Sequence, residues 1–159
     1  MTAVAPSTPA FLAHSRIAVV HGNLIPGNVL VGPRGPVLVS PNCPCHADPA
    51  FDAACCLTHL LMLALYRDNW RDQYLNCFDA FCAAYAQHVT WEIPQQVEQR
   101  AALLIPAVLL GSVHGEDPVN FLCSTRARDL VTAFARKLML EPLIRLAAVR
   151  ESWRRSLLG

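Results

Sequence analysis

The apolar pattern of this sequence changes near residue 48, and that change constrains the fold more than any other feature. Before it lie three short runs rich in β-branched residues, at 17–20, 28–31 and 36–39, and a Gly-Pro-Arg-Gly turn joins the last two. Two such runs around a Gly/Pro turn are typical of a β-hairpin. After Asp48 and Pro49, a helix-start signal, apolar residues recur at three- and four-residue steps. We therefore predict an α+β, mostly helical domain, with a small β-hairpin platform followed by a helical bundle.

Five helices are predicted in the bundle. The first ends near Tyr66, the second begins near Asp68, the third spans roughly 94–113, a fourth follows Ser124 and a last one follows Pro142. The second helix carries a stripe of aromatic and cysteine side chains at helical spacing, which we expect in the bundle core. This stripe consists of Trp70, Tyr74, Cys77, Phe78, Phe81, Cys82 and Tyr85.

Composition narrows the class of protein. Apolar residues make up 53% of the 159 residues and charged residues 16%, which excludes global disorder. A small domain this apolar is expected to cover part of its surface with a partner or with a missing neighbouring domain. No linker-like stretch divides the chain, so we predict one domain at 17–159 after a flexible segment at 1–16. The net charge of +1 gives no sign of nucleic-acid binding.

The apolar runs and the cysteines bear on the compartment. No run reaches the ~20 apolar residues that a membrane-spanning helix needs. The N-terminus also lacks the basic and apolar regions of a signal peptide. We therefore expect a cytoplasmic protein without a membrane partner. The number of cysteines is odd, seven, and five of them lie in apolar helical patterns, so we expect buried thiols that behave as small hydrophobes.

Four segments carry a resemblance to a known family. Residues 21–31 read HGNLIPGNVLV and resemble the catalytic loop H-G-D-x-x-x-x-N of the aminoglycoside phosphotransferase and choline kinase-like family. Residues 35–40, GPVLVS, resemble the strand that ends in that family's metal-binding aspartate. Residues 47–54, ADPAFDAA, resemble its G-D-P-x-x-D-L-A segment, and residues 111–122, GSVHGEDPVNFL, its A-R-x-D-G-K-S-P-x-x-Y-L turn. The resemblance covers roughly 17–155 and implies a kinase-like C-terminal lobe.

The resemblance also implies where the chemistry would lie. His21 and Asn23 occupy the catalytic positions, but the family has an aspartate at position 23 to accept the substrate hydroxyl proton. A neutral amide cannot act as that base, and losing a general base typically costs about 10²–10⁴ in rate. Asn28 and Ser40 occupy the magnesium positions, where the family has an asparagine and an aspartate. A serine hydroxyl is a poor substitute for the carboxylate that Mg²⁺ prefers.

The scaffold positions are retained. Asp48 and Asp52 are expected to cap and orient the first helix, and in the family the second of these aspartates also braces the catalytic loop. Residues 1–16 contain no glycine, so we expect no glycine-rich phosphate loop before the first strand and no N-terminal kinase lobe. No cofactor is therefore expected for the chain by itself.

Three functions follow from these observations. The first is a truncated, catalytically inactive, pseudokinase-like lobe that binds a protein partner or a second copy of itself through the edge that an N-terminal lobe would cover. The alternative is the C-terminal half of a split small-molecule kinase. It would use ATP and Mg²⁺ to phosphorylate a hydroxyl of an aminoglycoside, a choline-like alcohol or a sugar. The third is a decaying chain without a selected function.

Several residues allow two interpretations. Asn23 and Asn28 could bind a polar ligand, but we favour hydrogen bonds to their own loop, since asparagine is a common turn residue. Residues 43–46, CPCH, could bind a metal together with His21 or His59, or form an oxidisable cysteine pair. Their C-x-C spacing lacks the paired C-x₂₋₄-C ligands of zinc sites. His59 lies among leucines, which favours a histidine at the rim of the core.

Overall fold

The computed structural model describes residues 18–41 and 45–158. The α+β, mostly helical class is confirmed, and each of the five helices begins within a few residues of its predicted start. The flexible segment predicted at 1–16 lies outside the described residues. The strands are β1 (Ala18–Val20), β2 (Val29–Gly32), β3 (Gly35–Leu38) and β4 (Cys45–Ala47), and the helices are α1 (Ala50–Tyr66), α2 (Arg71–His88), α3 (Pro94–His114), α4 (Thr125–Leu140) and α5 (Leu146–Leu158).

The strands form two separate antiparallel pairs. β2 and β3 form the predicted hairpin, in register from Val29 opposite Leu38 to Gly32 opposite Gly35. The turn requires a glycine at position 35, where φ is 104°. β1 pairs with β4, and the sequence pattern does not predict this pairing. Three residues without β-branched side chains give no strand signal, and the pairing to β1 is long-range.

The core is built around α1. This helix packs between α2 and α3, and its residues Leu57, Leu61 and Met62 are fully buried. α5 closes the bundle through Trp153, whose indole N–H donates to the Leu61 carbonyl at 2.9 Å. The Trp153 ring also packs edge-on against Phe134, with ring centroids 4.8 Å apart. A buried Trp with its N–H satisfied contributes a large apolar area without a desolvation penalty.

The predicted aromatic stripe of α2 is only partly in the core. Phe78 is fully buried, but Trp70 is 60% exposed and Cys77 is also exposed. Only two residues of α2, Leu75 and Phe78, are buried. The buried stripe of this helix is therefore narrower than the stripe of apolar residues in its sequence. The spacing of apolar residues shows which face of a helix is buried, but it does not show how wide the buried contact is.

The expected burial of the cysteines is likewise only partly correct. Cys55 and Cys56 on α1 are buried and Cys82 is half-buried, whereas Cys77 and Cys123 are exposed. Cys123 lies in the connection between α3 and α4 rather than in a helix. Within the described ranges, no helix is long and apolar enough to cross a bilayer.

Candidate functional site

The loop after β1 is anchored to the start of α1 by one carboxylate. Asp52, in the first turn of α1, accepts the backbone N–H of His21 at 2.6 Å and that of Gly22 at 2.9 Å. Gly22 has φ of 73°, a conformation that glycine adopts without steric cost. Hydrogen bonds to an ionised acceptor are stronger than neutral ones. The beginning of the HGN segment is therefore held at a fixed position against the helical bundle.

The same loop is also tied to the hairpin. The His21 ring nitrogen Nε2 lies 3.1 Å from the Val39 carbonyl oxygen, and because a carbonyl only accepts, Nε2 carries the proton. The Asn28 side chain donates from Nδ2 to the Asn23 carbonyl at 2.9 Å. The Val39 N–H donates to the Asn28 carbonyl at 3.0 Å. Loop, hairpin and α1 thus form one hydrogen-bonded frame.

This frame brings the four sequence-predicted site positions to one end of the hairpin. His21, Asn23 and Asn28 belong to the loop, and Ser40 directly follows Val39, which is bonded to both His21 and Asn28. Asn28 hydrogen-bonds its own loop, as favoured from the sequence. Ser40 has φ of 56°, in the left-handed region that few residues other than glycine adopt.

The frame offers no spare carboxylate. Residues 21–41 contain no Asp or Glu, and both oxygens of Asp52 already accept backbone N–H groups. Asp48 is buried and accepts the Ala50 N–H at 2.9 Å on Oδ1. Its Oδ2 accepts from Nε of Arg100 at 2.7 Å. Asp48 therefore orients the start of α1, and its charge is neutralised by an arginine.

Arg100 joins two buried carboxylates, and sequence reasoning missed it. Its Nη2 donates to Glu92 Oε1 at 2.8 Å, and the side chains of Arg100, Asp48 and Glu92 are only 11%, 8% and 10% exposed. Burial disfavours the charged guanidinium, but the hydrogen bonds to Glu92 and Asp48 outweigh it and raise the pKa of Arg100. A sequence signal does exist, since Arg100 is the cation that directly precedes the apolar run of α3. Its partner, 52 residues away, leaves no pattern.

The metal interpretation gains no support from the described residues. Among residues 18–41 and 45–158, no three His, Cys, Asp or Glu side chains are placed to hold a metal ion together. Cys43, in the CPCH segment, lies outside the described part of the chain. His59 is half-buried at the rim of the core, edge-on to Phe121 with ring centroids 6.2 Å apart. Burial lowers the pKa of His59.

A second concave feature lies within the bundle. A cavity of about 350 Å³ opens between α1, α2, α3 and α5, with Phe78, Phe81 and Val97 in its walls. Glu98 lies at this cavity, but its carboxylate already accepts the Leu146 N–H at 3.0 Å and pairs with Arg145. Asp79 also lines the cavity and pairs with Arg150 at 3.3 Å, so both carboxylates are engaged and the remaining walls are mostly apolar.

Comparison with known proteins gave no match: no family model, no curated protein and no solved structure matches this chain.

Proposed function

We propose that this chain is a kinase-like C-terminal lobe of the aminoglycoside phosphotransferase type that has lost catalysis and works as a binding module. One observation carries the proposal. Asp52 holds the HGN loop in place through two backbone N–H groups, while the positions for the base and the metal carry the neutral residues Asn23 and Ser40. In this proposal the chain keeps the hydrogen-bonded frame of the family, whereas neutral side chains replace the family's catalytic base and its metal-binding carboxylate.

The chemistry of phosphoryl transfer explains why this replacement matters. The reaction depends on positioning and on neutralising charge on the phosphates, usually with Mg²⁺ held by carboxylates. In this frame Asp52 is engaged with the loop backbone, and Asp48 with Arg100 and the start of α1. Neither carboxylate can leave its partners without loosening the scaffold. The frame therefore suits binding better than catalysis.

The surface that we propose for binding lies on the hairpin. We define the hairpin surface as Leu30 and Val37 on one face of the hairpin and Val31 and Leu38 on the other; these four residues are between 54% and 84% exposed. An exposed cluster of aliphatic residues is typical of an interaction site. In this proposal a protein partner or a second copy of the chain covers the hairpin surface in the cytoplasm, without nucleic acid or membrane.

A second candidate function is the C-terminal half of a split small-molecule kinase. It is favoured by Asn28, which keeps the identity of a magnesium ligand and lies within the ordered frame. In that case a separate polypeptide would supply the nucleotide-binding lobe, and ATP and Mg²⁺ would be required. An adjacent reading frame encoding a glycine-rich loop and a lysine-bearing strand would support this candidate.

Calorimetry with ATP tests the proposal. We expect no Mg²⁺-dependent binding to the purified chain at millimolar nucleotide, because neither magnesium position carries a carboxylate. Circular dichroism on the same sample shows that the chain is folded. Magnesium-dependent binding that disappears in Asn28→Ala would refute the non-catalytic function and favour the split kinase.

A further inference from the structure

The register of the hairpin determines which backbone groups point outward. The Val39 N–H donates to the Asn28 carbonyl, and Val29 is opposite Leu38. Hydrogen-bonded and non-hydrogen-bonded pairs alternate in an antiparallel ladder, so Leu30 and Val37 exchange hydrogen bonds. The backbone groups of Val29 and Val31 therefore point away from β3. Those of Pro36 and Leu38 point away from β2.

The two outer edges of the hairpin are chemically different. On β3 the outward position 36 is a proline, which has no N–H and blocks the addition of another strand. On β2 the N–H of Val31 has no hydrogen-bond partner among the described residues, and Val31 is 84% exposed. The N–H of Val29 is already used by the Pro26 carbonyl. The β2 edge thus offers one donor, at Val31, and the outward carbonyls of Val29 and Val31.

We propose that the β2 edge pairs with the β2 edge of a second copy of this chain, antiparallel, about a two-fold axis at Leu30. The Val31 N–H then donates to the carbonyl of Val29 of the partner subunit, and the reciprocal bond forms by symmetry. These two bonds flank a non-hydrogen-bonded pair, in which the Leu30 residues of the two copies face each other. The product is a four-stranded sheet. This inference rests on the proposed interaction role of the hairpin surface but not on the loss of catalysis.

Charge and geometry favour a second copy over an unrelated partner. Arg34 is the only charged residue in 21–41, so the hairpin has no charge pattern to select a charged partner. Antiparallel pairing sends the two Arg34 side chains to opposite ends of the sheet, where they do not repel. The outer edges of the four-stranded sheet are then the two β3 strands, each with Pro36. Assembly therefore stops at a dimer, which fits the two-fold symmetry of most homo-oligomers.

Charge substitution at the two-fold axis tests the pairing. Sedimentation velocity compares the wild type with Leu30→Lys, Leu30→Glu and their equimolar mixture, from about 1 µM to about 1 mM. Leu30 is more than half exposed, so a charge there is tolerated by the single copy. Facing residues in a non-hydrogen-bonded pair are about 4.5 Å apart at Cα, and like charges there repel. We expect a wild-type dimer, two monomeric variants and a dimer restored in the mixture.

Val37→Glu is the matched control. Val37 lies opposite Leu30 on the same face, with similar exposure, but on β3. In the four-stranded sheet the two copies of position 37 are three strand spacings apart, about 14 Å, beyond the Debye length of about 8 Å at physiological salt. This variant is expected to remain a dimer.

Three results would overturn the pairing. They are a wild type that stays monomeric over the whole range, Leu30 variants that dimerise like the wild type, and a mixture that stays monomeric. If another polypeptide, rather than a second copy, covers the hairpin surface, the purified wild type stays monomeric, which is the first of these results. Nucleotide calorimetry tests the loss of catalysis independently of the pairing. A dimer that binds ATP in the presence of Mg²⁺ would refute the loss of catalysis but not the pairing.

Discussion

Removing the Arg100 guanidinium should cost this protein a large part of its stability. Arg100→Met keeps the apolar stem but leaves Asp48 and Glu92 without their shared cation, in a place where both are about nine-tenths buried. Breaking a buried ion pair by removing one partner typically costs 3–5 kcal/mol, since the remaining charge is uncompensated. For a chain of this size that corresponds to a fall in Tm of roughly 6–20 °C. Urea unfolding followed by circular dichroism measures the change directly.

The matched control is Arg145→Met. Arg145 also pairs with a glutamate, Glu98, but at 3.4 Å and with its side chain 64% exposed. Exposed pairs of this kind contribute about 0–1 kcal/mol. If Arg100→Met costs no more than Arg145→Met, with the same dependence on urea concentration, then the buried network is not a determinant of stability.

Two further predictions concern titratable side chains. Burial raises the pKa of Cys55 to about 12 and that of Cys56 to about 11, and both thiols are buried, so a thiol reagent should modify them only on unfolding. Cys77 and Cys123 are exposed and should react in the folded protein; equal rates would contradict this assignment. Because burial lowers the pKa of His59 from 6.5, the unfolded chain takes up its proton first. Stability should therefore fall as the pH drops below about 6.5, and His59→Gln should show a weaker fall; parallel pH profiles would exclude this contribution.

Helix positions could be predicted because their signals are local. The start of α4 is an example: Ser124 precedes the apolar pattern, and its hydroxyl accepts the Ala127 N–H at 3.1 Å. The β2–β3 hairpin is equally local, with a Gly-Pro-Arg-Gly turn between two β-branched runs. In such cases the residues that define the element are also the ones that form its contacts.

The missed features all depend on partners far away in the chain. β4 exists because β1 lies beside it, and Arg100 lies beside Asp48 because α3 packs on α1. Trp70 has the correct helical spacing for the core, but it lies in a short 3-10 helix before α2 and is 60% exposed; how much of a helix face is covered depends on tertiary packing, which spacing does not give. The contact between Asp52 and the HGN loop is different, since it spans 31 residues and only the family resemblance implied it.

The left-handed backbone conformation at Ser40 makes it easy to introduce a carboxylate at this position. With φ of 56°, position 40 adopts a conformation in which aspartate and asparagine are several-fold enriched over other non-glycine residues. An aspartate introduced there would meet no new backbone strain and would stand beside the frame that holds Asn28. A carboxylate therefore lies one substitution away, without any remodelling of the chain path. The hairpin end is for that reason a ready starting point for the laboratory evolution of a cation site.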